Sequence, residues 1–279
     1  MILRRAITAL SGRLRDQIGP AAFMRKYPGY VTNFHDNLVG VVEPSMFESD
    51  LRRGDGAELD WKSGRPPKFQ AAYSSCALVI NSFAPWKGSV ENLSLAGTFG
   101  FEEISFEAKC PTGLQTRRAP NLDVLARSED RIVAVESKCT EFLRPKPAKF
   151  SEQYDPAVRR LSEPQWRSIY REVRTNPFAY RYLDVAQIVK HYLGLRNTFP
   201  GQAVKLCYLF WEPLNSNEFE AFEHHRVEIS YVQSLAEGSS VDLVAISYSE
   251  LWQEWDHLNG PDWLPGHLSA LRSRYELAI

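Results

Sequence analysis

The 279-residue sequence predicts an α/β fold, and three observations carry the prediction. Three consecutive segments between residues 101 and 139 alternate apolar and polar residues, the period of half-buried strands. Segments of helical periodicity flank them on both sides. A continuous apolar run, AVKLCYLFW, follows the second helical segment, as expected of a strand buried on both faces.

Taken in order, residues 3–18 read as a helix. Gly- and Pro-rich loops such as RRGDGAELDWKSGRPPKF then continue to about residue 71. Residues 1–71 hold too few periodic apolar positions to fold alone, so they are expected as an N-terminal extension packed on the core of one domain spanning 1–279. SSCALVINSFAPW opens on a Ser cap and stops at Pro85, which favours a short buried helix. FEEISFEAKC is a strand with Ile104, Phe106, Ala108 and Cys110 on one face. APNLDVLA and RIVAVESKC are two more, separated by the polar SED. YRYLDVAQIVKHYLGL is a helix with Ala186, Val189 and Leu193 on its apolar side. After AVKLCYLFW come a helix over 219–235, a strand VDLVAIS and C-terminal helices bearing Trp252, Trp255 and Leu271. The order from Ser74 to Trp211 is therefore helix, three-stranded meander, helix, strand, with additional helices after it.

Hydrophobic residues make up 44% and charged residues 24%, an ordinary globular balance, and the net charge of −1 offers no bulk argument for a polyanionic partner. A local basic groove remains compatible with that total. Cys76, Cys110, Cys139 and Cys207 lie far apart, with no C-x-x-C and no His at ligand spacing, which argues against zinc. The N-terminal MILRRAITAL carries charges too early for a secretory leader, and no apolar run reaches membrane-spanning length. A reduced, cytoplasmic protein with no membrane partner is the expectation.

The chemistry is sought among acid-x-Lys tripeptides. Composition alone supplies roughly one by chance, and the chain has Asp60-Trp61-Lys62, Glu107-Ala108-Lys109 and Glu136-Ser137-Lys138. Asp60 lies in a polar loop. Glu107 shares its strand face with Ser105 and Lys109, as on a solvated face. Glu136 and Lys138 instead continue the apolar row of Ile132 and Ala134, while Val133, Val135 and Cys139 fill the other face. A turn centred between Glu129 and Asp130 sets Asp123 opposite Glu136 and Leu125 opposite Ala134. Direct cross-strand neighbours have Cβ atoms about 4.5–5.5 Å apart. Two carboxylates so close repel unless a cation lies between them, and their hard oxygens suit Mg²⁺. Neutralising either is therefore expected to leave the apo fold as stable or more so. Lys138 projects from the same face, where its ammonium can hold an attacking water or a phosphate.

Pro120-Asn121-Leu122-Asp123, then twelve residues, then Glu136-Ser137-Lys138 resembles the motif of the PD-(D/E)XK nuclease superfamily, except that Asp123 does not directly follow the Pro. The predicted element order matches that superfamily's common core over roughly half the chain. The resemblance implies a restriction-endonuclease-like fold and a nuclease or endonuclease activity. It also implies Mg²⁺ or Mn²⁺ at Asp123, Glu136 and the Ser137 carbonyl, with Lys138 near the nucleophilic water. SSCALVINSFAPW is similar to uncharacterised bacterial members of the restriction-endonuclease-like class, which favours DNA over RNA as partner; a homodimer is compatible with the class. Some branches place a Gln followed four residues later by a Tyr on the next helix. Here Gln187 is followed at that spacing by His191, and Gln187, Lys190 and His191 share one helical face.

The expected reading is a Mg²⁺-dependent hydrolase of phosphodiester bonds with Asp123, Glu136 and Lys138 as the catalytic set. Arg117, Arg118, Gln187 and Lys190 are candidate nucleic-acid contacts. Arg159, Arg160, Arg167, Arg171 and Arg174, interleaved with Trp166 and Tyr170, offer a basic aromatic face, against a solvated helix as the plain alternative. Glu58 or Glu107 is a candidate further acidic ligand. His224 and His225 diverge on a helix and are discounted. The alternative function is a catalytically silent module of the same fold that grips nucleic acid without cutting it.

Overall fold

A computed structural model describes residues 2–54, 58–114 and 119–279. Helix α1 spans Ile2–Ile18 and α2 Glu48–Arg53, with short 3-10 turns between them. Helix α3, Ser75–Phe83, starts where expected, because the Ser74 hydroxyl accepts the Ala77 N–H. It runs into a 3-10 turn at Ala84–Gly88 that carries Pro85. Strands β1 (Glu103–Lys109), β2 (Asn121–Arg127) and β3 (Ile132–Lys138) form the meander. Helices α4 (Tyr154–Leu161), α5 (Pro164–Thr175) and α6 (Val185–Thr198) lead to β4 (Val204–Phe210). Helix α7 (Glu220–Ala236), β5 (Val241–Ser247), α8 (Tyr248–Asp256) and α9 (Leu264–Tyr275) complete the chain. The expected order thus needs one correction: α4 and α5 stand between the meander and α6.

The described strands form one five-stranded mixed sheet in the order β1-β2-β3-β4-β5. The pairs β1–β2 and β2–β3 are antiparallel, and β3–β4 and β4–β5 are parallel. Strand β4 therefore has parallel neighbours on both sides and apolar layers on both faces, which is why its sequence is almost continuously apolar.

Each face of the sheet carries its own core. Val133 and Val135 of β3, and Cys139 just after it, pack with α3, α8, α9 and α1. Ile132 and Ala134 pack with α5, α6 and α7. Each fully buried Leu, Val or Ile in these layers contributes about 1.5–3 kcal/mol relative to exposure. Gly194 lets α6 lie directly on the end of the meander, since a Cβ there would meet the Cys110 carbonyl oxygen at 2.4 Å. Any larger residue must push α6 away from the sheet.

Strand β1 does not keep one face. Ile104 and Phe106 belong to the core under α3, whereas Ala108 and Cys110 belong to the core under α6. The change occurs at Glu107, whose φ of 51° is left-handed and reverses the alternation. The expectation that all four share a face is thereby corrected. The edge at this point is covered by α2: the buried Asp50 carboxylate accepts the Phe106 N–H at 3.2 Å and pairs with Lys87 at 2.6 Å.

Candidate active site

The β2–β3 ladder runs from Arg127↔Ile132 to Val124↔Val135, with Leu125 opposite Ala134. One step further along stand Asp123 and Glu136. Asp123 Oδ2 accepts the Ser137 N–H at 2.6 Å, so the aspartate side chain itself ends the ladder. On the other side of β2, the β1 register passes from Phe106↔Val124 to Ala108↔Leu122, which sets Glu107 level with Asp123. Three carboxylates from three adjacent strands, Glu107, Asp123 and Glu136, thus form a row. Asn121 Nδ2 donates to Glu107 Oε2 at 2.9 Å and steadies the outermost of them.

Glu136 is 2% exposed and is met on both carboxylate oxygens. Lys138 Nζ pairs with Oε1, and His191 Nε2 lies 2.7 Å from Oε2. Lys138 Nζ also donates to Gln187 Oε1 at 3.0 Å. Gln187 and His191 stand one turn apart on α6, and Asp184 caps that helix by accepting the Gln187 N–H at 3.1 Å. The helix start therefore determines where both side chains reach the strand. On the opposite face of β3, Ser137 Oγ shares a 2.7 Å hydrogen bond with Tyr248 Oη, so the β3 terminus is held from both sides.

The two central carboxyls are driven apart electrostatically. Burial, then the Glu136 charge, push Asp123 well above the ordinary carboxylate range. Burial would also raise Glu136, but Lys138 and His191 outweigh it and hold its pKa at about 2. Burial would lower Lys138, yet Glu136 and Asp123 keep its ammonium protonated well above the usual range. Glu107 is raised by burial, against the Asn121 hydrogen bond. Glu136 therefore keeps its charge, and Asp123 is the group that retains a proton most readily.

These side chains line a cleft of about 570 Å³. Its other wall comes from the N-terminal segment, through Tyr30, Glu58, Lys68 and Tyr73, and Arg144 stands at its rim. Glu58 is buried and pairs with Lys68 at 2.6 Å. Among the described residues no group of three or more His, Cys, Asp or Glu side chains is arranged as a cage for a metal ion. The donors that remain, Asp123 and Glu136, are hard oxygens. Two carboxylates with water completing the shell is a set that Mg²⁺ commonly accepts. By donor type these residues fit a hard divalent cation.

Several sequence candidates lie elsewhere. Arg117 and Arg118 fall outside the described residues. Lys190 is on α6 but does not line the cleft; its ammonium sits 5.2 Å over the Phe150 ring and 5.7 Å over that of Tyr154. Gln187 reaches the cleft as a partner of Lys138. The basic aromatic face dissolves, because Trp166 and Tyr170 are buried core residues on α5 and only arginines face out. Helical spacing placed the aromatics inward with Ile169 and Val173. His225 is buried against Phe142 while His224 is exposed. Glu107 lines the cleft instead of a solvated face.

The sequence offers His191 only as a candidate nucleic-acid backbone contact beside Gln187 and Lys190, not as a partner of Glu136. Its signal was present, in the shared face with Gln187, but only the packing of α6 on β3 links it to Glu136.

Residues 18–276 match the model of the family REase-ARP, described as Restriction Endonuclease associating with ARP. No curated protein and no solved structure matches the chain. Among the described residues no helix is long and apolar enough to cross a membrane.

Proposed function

The chain belongs to the REase-ARP family, and on that premise we propose that it is a nuclease of the restriction-endonuclease-like fold, a single domain carrying residues 1–71 as an extension. In this reading it hydrolyses phosphodiester bonds, in DNA before RNA, with Mg²⁺ or Mn²⁺. The observation that carries the proposal is the convergence of Asp123, Glu136 and Lys138 on one cleft.

Asp123, Glu136 and the Ser137 carbonyl would hold the cation. When bound, it would offset charge on the scissile phosphate and the leaving oxygen and make an attacking water more acidic. The protein groups then have separable tasks. His191 and Lys138 hold Glu136 in one orientation, so one ligand is set before the cation arrives. Lys138, kept protonated, offers N–H donors to a phosphate oxygen or to the attacking water. Gln187 limits the directions in which Lys138 can reach. Asp123 must lose its proton to bind the cation.

The test is cleavage of single- and double-stranded DNA with Mg²⁺ or Mn²⁺, beside a binding titration at two salt concentrations. Lys138→Ala is expected to lower the cleavage rate by about 10² or more with little change in binding. A wild-type protein that binds tightly but cuts nothing with either metal would make it a binding module instead.

A further inference from the structure

The N-terminal segment carries an aromatic row that ends in the cleft. Trp61, 57% exposed, lies 6.0 Å from Tyr27, Tyr27 lies 6.3 Å from Tyr30, and Tyr30 lies 6.0 Å from Tyr73. Tyr30 and Tyr73 line the same cleft as Asp123 and Glu136. The outer end of the row is built, not loose. Lys62 and Arg65 exchange backbone hydrogen bonds of 3.1 and 3.0 Å around Ser63 and Gly64, whose φ values are 50° and 74°. Two left-handed residues in succession are the signature of a type I′ hairpin. Tyr27 Oη donates to the Gly64 carbonyl at 2.6 Å and ties the hairpin to the row. The hairpin thus presents exposed Lys62 and Arg65 across its turn, with the exposed Trp61 next to Lys62 and the exposed Asp60 on the other side of Trp61. A large aromatic held out in solvent is poor core material and good recognition material.

We propose that this row is the track for a single-stranded nucleic acid entering the cleft, which rests on the nuclease reading above and narrows its substrate class. Base faces are available to aromatic side chains only where the strand is unpaired, and such stacking tolerates any sequence. Lys62 and Arg65 lie where a phosphate backbone alongside stacked bases needs positive charge. A cleft of about 570 Å³, walled by the N-terminal segment on one side and by β3 and α6 on the other, is the size of a small-ligand site. That volume matches a nucleotide or two of one strand.

The test is fluorescence-anisotropy binding in EDTA, where no metal-dependent cutting occurs. The probes are a labelled 15-mer single-stranded DNA, the RNA of the same sequence, and the blunt DNA duplex. At least one single strand is expected to bind at least tenfold tighter than the duplex. Trp61→Ala should weaken single-strand binding about tenfold, and Trp61→Phe should retain most of it. Lys62→Ala with Arg65→Ala should reduce the salt dependence by about one to two counterions. Equal or tighter duplex binding, or Trp61→Ala binding as well as wild type, overturns the track. A Trp61-dependent single-strand complex that is never cut with Mg²⁺ or Mn²⁺ would sink the nuclease reading and leave the track standing. Duplex cleavage unaffected by Trp61→Ala would do the reverse.

Discussion

His191 Nε2 lies 2.7 Å from Glu136 Oε2, with the two residues 1% and 2% exposed. One residue comes from α6 and the other from β3, so this contact joins the helical layer to the carboxylate row. His191→Ala leaves a buried carboxylate oxygen without that neighbour, which costs about 1–3 kcal/mol. Cleavage should fall more than stability alone explains. His191→Gln, which keeps an N–H donor, should recover a measurable share of the rate. Denaturant melts read beside initial rates check this, and equal rates for the Ala variant and wild type would reduce His191 to packing.

The two central carboxylates should respond oppositely to neutralisation. Asp123 has a raised pKa in the fold, so apo stability declines as pH rises above the unfolded value near 3.8 toward its folded value. Asp123→Asn has no proton to lose and still accepts the Ser137 N–H. It should be as stable as wild type or more so at pH 7 without metal. For Glu136 the structure leads to the opposite expectation, because Glu136→Gln leaves the largely buried ammonium of Lys138 without its nearest counterion. A loss of about 3 kcal/mol is expected, and urea titration of both variants decides it. A stable Glu136→Gln variant would mean that Lys138 finds another partner or sheds its proton.

Cation binding should be linked to protons. With Asp123 still protonated, each ion bound displaces about one proton, and affinity rises about tenfold per pH unit until Asp123 ionises unaided. Calorimetry of Mg²⁺ binding in two buffers of different ionisation enthalpy measures the release. A binding heat independent of buffer at every pH would remove Asp123 from the ligand set. Asp123→Asn should abolish binding without unfolding.

His225 supplies a separate acid sensitivity. Burial, then Arg226, lower its pKa to about 3, and its Nε2 lies 3.0 Å from Tyr208 Oη. A depressed base contributes stability above its unfolded pKa near 6.5 that is lost as pH falls toward 3, because the unfolded chain takes up the proton first. The slope is about 1.4 kcal/mol per pH unit for one proton. His225→Phe should cost about 1 kcal/mol at pH 7 through the unpaired Tyr208 hydroxyl. Its difference from wild type should then shrink and reverse between pH 6 and 4. A constant difference across that range would show that His225 does not charge on unfolding.

The sequence by itself determined the elements whose signal is periodic and the pairing that follows from it. Alternation in RIVAVESKC separated Glu136 and Lys138 from Val133 and Val135, and the polar SED turn set Leu125 opposite Ala134. From that register the proximity of Asp123 to Glu136 could be read, because a hairpin register is local. The rest depended on how distant segments pack. Which strand α6 covers depends on surface fit, with Gly194 set against Cys110, so the shared face of Gln187 and His191 could be read from spacing but their reach to Lys138 and Glu136 could not. The left-handed turn at Glu107 carries no sequence signal, since it occurs at a residue with a Cβ, and it lies where Asp50 and Gly54 of the N-terminal segment meet β1. Glu58, Tyr30 and Tyr73 enter the cleft only because the N-terminal segment folds back over the sheet. Periodicity reports which face of an element is apolar; only tertiary packing decides what that face meets.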